Sequence, residues 1–385
     1  MIRFKKDDGS DYPDWRNNIL LEDISEFITK GATPTTYGYK WVDKGIPFFR
    51  NDSIKNNYFV YGEYSYISDE ADKFLSRSQI KADDLLITIT GEIGNIGIVP
   101  KTIKHGNINQ HISRIRIKKE HMPYYVYQYL CSPNIQRFYN KIRTGQTMPQ
   151  LGLGQIRKFK IPIPCLEEQQ KIADFLSSVD EVIEASEKEV EQLELQKKGA
   201  MQKIFNQEVR FKDDEGNEYP EWKQHTLEDI LCFQYGKYNT NPDNGGIYPI
   251  YGANGIIGGF NEYNAEDSIV IGHIGTAGTV LWGKGKHFVT YNGTITTPKN
   301  KDELLSLFGY YLLISLNIPQ ICNGSSQPFL SYDKLNKINC KTPCSKEQHK
   351  IADFLSSMDE TIEYAKKELE GWKQLKKGLL QQMFI

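Results

Sequence analysis

From Glu167 onward, one stripe of mostly apolar positions recurs by alternate steps of four and three: Ile172, Leu176, Val179, Ile183, Ser186, Val190, Leu193, Lys197, Ala200 and Ile204. The same stripe returns as Ile351, Leu355, Met358, Ile362, Ala365, Leu369, Trp372, Lys376, Leu379 and Met383. A 3.5-residue period held this long, with Asp, Glu and Lys on most outer positions, is the pattern of a coiled coil. Some 39 residues at 1.5 Å each rise about 58 Å, longer than one small domain can cover. Two long helices pairing antiparallel are therefore expected, rather than two amphipathic helices each lying on its own domain. Pro164 and Pro343 precede the starts, and Ser345 with Gln348 has the spacing of a capping box.

Elsewhere the period shortens. "DLLITIT" and "DSIVIGHIG" read as strands punctuated by glycine, and Pro123 to Ile142 and Asp302 to Ile318 as apolar, aromatic helices. Tyr124, Tyr125, Tyr127, Tyr129 and Tyr139, at helical spacing beside Leu130 and Phe138, read as core before they read as a base-stacking platform. "GEIGNIG" and "GHIGTAG" lead into strand-like "IGIVP" and "TVLW", which makes them hairpin turns and not phosphate loops.

These elements occur twice. "KIADFLSSVDEVIE" (Lys171 to Glu184) returns as "KIADFLSSMDETIE" (Lys350 to Glu363), differing only at Val179/Met358 and Val182/Thr361. "RFKKDDGSDYPDW" (Arg3 to Trp15) matches "RFKDDEGNEYPEW" (Arg210 to Trp222), and "ITGEIGNIG" (from Ile89) parallels "VIGHIGTAG" (from Val270). "RTGQTMPQLGLGQIRKFKIPIP" (from Arg143) parallels "CNGSSQPFLSYDKLNKINCKTP" (from Cys322). The second long helix ends the chain, and its expected continuation lies at residues 3 to 15. Joined end to end, the chain is two like units in pseudo-twofold arrangement, with its termini close together. The expected parts are an N-terminal segment 1–15 (equivalent to 208–222), domain 16–165, helix 166–207, domain 208–344 and helix 345–385. The fold class is mixed α/β (α+β): two domains joined by two long antiparallel helices forming a coiled-coil spacer.

Composition narrows the function. With 39% apolar and 25% charged residues, the chain is that of a globular protein with material for separate cores. No run approaches the roughly 18 apolar residues of a membrane span, and the first fifteen residues lack a signal peptide's apolar stretch. The six cysteines form no C-x-x-C pair, so free thiols in a cytoplasmic protein are expected and a zinc site is not. Net charge is −2, yet it is segregated. Ile93 to Leu166 holds twelve Lys/Arg against Glu120 alone, and Ser268 to Lys346 holds eight against Asp302, Glu303 and Asp333. Glu167 to Glu208 holds eleven acids and five bases. Basic segments of this kind point to a polyanion partner. No P-loop, no metal-hydrolase or zinc-deaminase histidine spacing, no G-x-S-x-G and no amino-methyltransferase Asn/Asp-Pro-Pro-aromatic motif is present.

Two variable units, each closed by a near-identical helix opening "EQQKIADFL" or "EQHKIADFL" and each entered through "YP-W", resemble the specificity subunit of type I restriction-modification enzymes. The resemblance covers essentially the whole chain; "GATP" (Gly31 to Pro34) resembles an early target-domain motif, where the second unit has "YGKYNT". It implies a DNA-binding, non-catalytic chain without a cofactor of its own. Each unit is then a target recognition domain reading one half of a bipartite, asymmetric double-stranded sequence, and the helices set the gap. Two modification (methyltransferase) subunits carrying S-adenosylmethionine would dock on the helices, around Ile172, Leu176, Val179, Ile183, Ile351, Leu355, Met358 and Ile362, and restriction (motor-nuclease) subunits would complete the complex. The different halves are expected because "KGATPTTYGYKWVDKGIPFFRNDSI" has no evident partner in "YGKYNTNPDNGGIYPIYGANGIIGG".

Candidate DNA-contacting residues are polar side chains on loops. In the first unit they are Lys30, Arg50, Asn51, Asn109, Gln110, His111, Arg143, Thr144, Gln146 and Thr147. In the second they are Tyr238, Asn254, His273, Asn292, Asn323, Ser325, Ser326 and Gln327. Any one of these is equally a turn residue or solvated surface. Two rivals compete: a coiled-coil adaptor linking two ligand-binding modules without DNA, which leaves the basic segments unexplained, and a nuclease whose carboxylates escape recognition.

Overall fold

The computed structural model describes residues 2–60, 64–142, 150–322 and 329–384. Its contacts divide the chain into two units, Met1–Glu187 with Glu368–Ile385, and Lys188–Lys367. The divisions fall inside the two long helices, so neither helix stands as a segment of its own.

The first unit contains strands β1 (Arg16–Leu20), β2 (Ser25–Lys30), β3 (Ile46–Phe49), β4 (Ile54–Lys55), β5 (Tyr58–Phe59) and β6 (Ser65–Ile67), then helix α1 (Asp69–Phe74). Strands β7 (Gln79–Ile80), β8 (Leu85–Thr88), β9 (Ile96–Ile98), β10 (Gly106–Ile108) and β11 (Ile112–Ile117) follow. Helices α2 (Pro123–Cys131), α3 (Pro133–Ile142) and α4 (Leu153–Arg157) and strand β12 (Lys160–Ile163) lead into α5 (Leu166–Phe205). One sheet has the order β2-β11-β8-β9 and a second β6-β3-β10-β7. Strand β8 explains the layering: Leu85, Leu86 and Ile87 are all fully buried. Leu85 and Ile87 face the main core with α2 and α5, while Leu86 faces Phe49, Ile54, Ile108 and Ile112 between the sheets. The tyrosines of α2 and α3 belong to this core. Tyr125, Tyr127 and Tyr139 are buried, and the Tyr129 hydroxyl donates to the Lys160 carbonyl at 2.9 Å.

The second unit contains β13 (Lys223–Thr226), α6 (Leu227–Ile230), β14 (Leu231–Tyr235), β15 (Tyr248–Gly252), β16 (Gly255–Phe260), β17 (Ala265–Gly272), β18 (Val280–Val289) and β19 (Gly293–Pro298). Helices α7 (Ser306–Ser315) and α8 (Tyr332–Asn336) and strand β20 (Asn339–Thr342) precede α9 (Ser345–Met383). Its sheet runs β14-β19-β17-β18-β15-β16. Ten-residue β18 does the work of both β9 and β10: its first part pairs antiparallel with β17 and its last part parallel with β15, as β10 pairs with β3.

Within each unit the same clamp holds the start of a long helix. Arg3 donates to both carboxylate oxygens of fully buried Glu168 at 3.1 and 2.9 Å, and Trp15 Nε1 adds a third bond at 2.9 Å. In the second unit Arg210 and Trp222 bond Glu347 in the same way. Next along each helix, buried Gln169 accepts from the Met122 N–H and donates to the Pro164 carbonyl. Gln348 treats Leu305 and Pro343 alike, and also donates to the Glu303 carbonyl. The capping box expected at Ser345 and Gln348 is therefore not made: Ser345 is already helical, and Gln348 is spent on orphan backbone groups inside the core. The repeated "EQ" is a buried polar node.

The long helices run antiparallel within each unit. In the first, Lys376 meets Asp180 at 2.5 Å and Lys373 meets Glu187 at 2.6 Å; in the second, Lys197 meets Asp359 and Lys366 meets Glu194, both at 2.5 Å. Rising numbers on α5 thus face falling numbers on α9. The two lysines that interrupt the apolar stripe each have an aspartate of the facing helix as partner, a device that fixes register in coiled coils. The early stripe positions do a different job. Ile172 and Leu176 lie in the first unit's core and Ile351 and Leu355 in the second's, so each helix begins as part of its own domain and continues as half of a pair. Also in the first unit, the Ile2 N–H donates to the Gln382 carbonyl at 2.9 Å, and Phe384 packs on Tyr125 and Tyr129.

Candidate functional site

The loops at one end of the sheets share a backbone frame in both units. In the first, Gly31 N–H donates to the Ile112 carbonyl, Ala32 N–H to Ile108, Asn109 N–H to Phe49 and Ile89 N–H to His111. In the second, Gly236 N–H donates to Gly293, Lys237 to Val289, Thr290 to Tyr251 and His273 to Asn292. A Cβ on Gly31 would sit 2.0 Å from the Asn109 oxygen, and one on Gly236 would sit 2.2 Å from that of Thr290. Only glycine permits this approach. "KGAT" and "YGKY" are therefore the same place, and so are "FFRND" (Phe48 to Asp52) and "IYGAN" (Ile250 to Asn254), which the parallel pairing aligns. The absence of any partner between these variable stretches, expected from the sequence, is corrected: the frame is shared and the side chains differ.

The glycine turns of the two units match in a register other than the one their sequences suggest. Gly94 N–H donates to Thr88 and Gly278 N–H to Gly272, with Gly91, Gly94, Gly275 and Gly278 all at positive φ. Gly91 and Gly94 thus match Gly275 and Gly278, three residues beyond the match that the sequence suggests. The unit-one chain is three residues longer between β9 and β10, where Pro100 helps to end the strand that continues in β18. A period of three in "GEIGNIG" hides such a slip.

The candidate residues gather at this end. Lys30 closes β2, Arg50 and Asn51 follow β3, and Asn109, Gln110 and His111 form the turn from β10 to β11. Tyr238 follows β14, Asn254 follows β15, His273 follows β17, and Asn292 closes the turn from β18 to β19. Arg143, Thr144, Gln146, Thr147, Asn323, Ser325, Ser326 and Gln327 lie outside the described residues. The residues next to those loops are placed at the same end: Leu151 N–H donates to the Ile89 carbonyl and Leu330 N–H to the His273 carbonyl.

Side chains divide into supports and exposed groups. Asn109 is buried and its Oδ1 accepts from the His111 N–H at 3.1 Å, and His273 is buried with Nδ1 donating to the Leu330 carbonyl at 2.8 Å. Both hold turns and cannot reach a partner. Lys30, Arg50, Asn51, Gln110, Tyr238 and Asn254 are exposed. The Arg50 guanidinium lies over Trp41 and donates to Ser65 Oγ at 3.1 Å, which pre-orients a planar fork of donors. In the second unit, Tyr235 stands where Lys30 does and stacks on Tyr332 with centroids 4.1 Å apart, beside His273 and Tyr291. The first unit's loops end in polar groups, whereas the second unit's are built around rings.

Charge is distributed differently from what the linear count implies. Arg116 is held by Asp84 through two 2.7 Å bonds, and Arg114 is buried under Phe27, where burial lowers its pKa to about 10. Lys101, Lys104, Lys118 and Lys119 lie at the other end of the first unit's strands. Counting along the chain pools both ends of every strand. Among the described candidate residues, Lys30 and Arg50 are the cations at the loop end of the first unit, and Lys237 adjoins Tyr238 in the second. No group of three or more His, Cys, Asp or Glu among the described residues is placed to hold a metal, their cysteines are free, and no described helix is long and apolar enough to cross a membrane.

Comparison with known proteins gives a consistent result. The family described as type I restriction modification DNA specificity domain matches residues 14–195 and 219–372. The putative type I restriction enzyme MjaX specificity subunit of Methanocaldococcus jannaschii is 27% identical, over 98% of this chain and 94% of its own. The EcoprrI specificity subunit of Escherichia coli is 25% identical over 86% and 85%. Among solved structures, an S subunit of a type I restriction-modification system from M. genitalium superposes with TM-score 0.65 at 19% identity, covering 97% and 96% of the two chains.

Proposed function

The chain belongs to the family of the type I restriction modification DNA specificity domain, and we propose on that footing that it reads a bipartite, asymmetric DNA target for a restriction-modification complex. Each unit reads one half-site through the loop end described above. The observation that carries this reading is a shared backbone frame bearing different residues at the loop end: Lys30, Thr33, Arg50 and Gln110 in the first unit stand where Tyr235, Tyr238, Gly252 and Tyr291 stand in the second, with Lys30, Arg50, Gln110 and Tyr238 exposed. A frame kept for fold alone needs no such divergence at its exposed tips, and two readers of different sequences do.

The remaining parts follow from the same reading. The paired helices set the unread gap, with Lys376–Asp180 and Lys197–Asp359 fixing their register. Two modification subunits, which bring S-adenosylmethionine and the methylating site, dock on the helical faces, where exposed Asp174, Phe175, Glu181 and Glu184 recur as Asp353, Phe354, Glu360 and Glu363. Restriction subunits complete a cytoplasmic complex in which this chain supplies recognition and no chemistry.

The test is to express the chain with modification partners and map methylated bases across a host genome. A two-part motif with unlike halves supports the reading. Replacing residues 16–160 with another such domain should change one half only, and about four residues inserted near Glu191 should change the gap while leaving both halves intact. Gel shifts with the complex should weaken steeply as salt rises, because phosphate contacts release counterions. An adaptor without DNA would give neither motif nor shift.

A further inference from the structure

Gln110 sits at the tip of the turn between β10 and β11, and every part of that turn is held. Asn109 N–H bonds the Phe49 carbonyl, His111 N–H bonds Asn109 Oδ1, Ile89 N–H bonds the His111 carbonyl, and Gly31 closes against the Asn109 carbonyl. The Gln110 side chain is exposed yet not loose. Its Oε1 is bonded by the Thr33 hydroxyl, and its Nε2 lies 3.2 Å from His111 Nε2.

A carboxamide offers two acceptor lone pairs and two N–H donors. Thr33 takes one bond from the oxygen and His111 one from the nitrogen, which leaves one acceptor and one donor for a ligand. The remainder is the same if the amide is turned over. In the major groove, adenine presents one acceptor, N7, beside one donor, the N6 amino group; guanine presents two acceptors, cytosine one donor and thymine one acceptor. A two-point match with one donor and one acceptor exists for adenine alone.

We propose that Gln110 reads an adenine of the half-site recognised by the first unit, with Thr33 and His111 as the residues that position its amide. This rests on the DNA-reading function proposed above. In the second unit the same position is Tyr291, packed against Tyr235 and His273, so the corresponding base pair there is read by other means and the halves differ.

The experiment uses the chain in complex with its modification subunits. Genome-wide mapping of methylated bases is compared for the wild type, Gln110→Ala and Gln110→Glu. Gln110→Ala should make one A·T pair of one half-site degenerate, with selectivity there falling about 5- to 150-fold, while the other half-site and the gap stay unchanged. Gln110→Glu should move preference at that pair toward cytosine, whose amino group a carboxylate accepts. As a control that alters no protein residue, wild-type complex is titrated with duplexes carrying 7-deazaadenine at each adenine of that half-site, and one position should weaken binding several-fold. An unchanged motif for Gln110→Ala, relaxation at a G·C pair, or indifference to every 7-deazaadenine overturns the inference. If the wild type itself yields no two-part motif, the proposed function fails instead.

Discussion

Replacing Lys376 with methionine separates two ion pairs that are identical in sequence and different in surroundings. Asp180 and Asp359 occupy the same position of the repeat, as do Lys376 and Lys197. Asp180 is 12% exposed and Lys376 11%. Around that carboxylate, Tyr124 and Gln128 donate at 2.6 Å and Tyr58 at 3.2 Å. Removing the cation strands a buried charge, a change that costs about 3–5 kcal/mol. Three neutral donors stay on the carboxylate, so the lower end, about 3 kcal/mol, is expected for Lys376→Met. For a unit of this size that is about 6–12 °C in Tm. In the second unit Asp359 is 38% exposed, and besides Lys197 it has the Tyr311 hydroxyl at 2.7 Å. Leu307 holds the place of Tyr124. Water replaces the lost lysine there, so Lys197→Met should cost no more than about 1 kcal/mol, or about 4 °C. Calorimetry of the full chain and the two variants measures both. Equal shifts would refute the claim that burial, and not the pair itself, decides the magnitude.

Three further outcomes are expected. Gly31→Ala must push the end of β2 off the Asn109 carbonyl, so it should destabilise the chain by about 1–3 kcal/mol in urea unfolding and blunt first half-site recognition in a methylation map. Arg3→Ala should lower stability by about 3 kcal/mol because Glu168 is fully buried, and Arg3→Ala with Glu168→Leu should recover part of the loss in the same assay. His287 is fully buried, its Nδ1–H donating to the Gly285 carbonyl and its Nε2 accepting from Ser268, and burial lowers its pKa. The unfolded chain then binds a proton that the fold resists. Stability should therefore be full above about pH 6.5 and fall as pH drops below it, and His287→Gln should flatten that dependence in a pH series of urea melts.

Periodicity exposed the long helices and the duplication because both leave long regular traces: ten stripe positions per helix, and fourteen aligned residues with two changes. What it left hidden is backbone geometry carried by single residues. Gly31 and Gly236 are one conserved contact within this chain, yet their neighbours, Lys30 and Ala32 against Tyr235 and Lys237, share nothing that a letter-by-letter match registers. Phe48–Phe49 and Ile250–Tyr251 are the same strand in different residues, since a strand between two layers asks only for apolar bulk. The glycine turns misled in the opposite way, by looking alike at two registers three residues apart, and only the hydrogen bonds of Gly94 and Gly278 choose between them. The basic segments point to a polyanion partner without locating the face that meets it, because strands reverse: Lys118 is eight residues from Gln110 in sequence and a full strand away from it in space. Each error has one source, that a sequence lists neighbours along the chain while a loop-borne site is assembled across it. The loop end stands out because two dissimilar stretches make the same backbone bonds, and on the function proposed above their differing side chains are what would tell one half-site from the other.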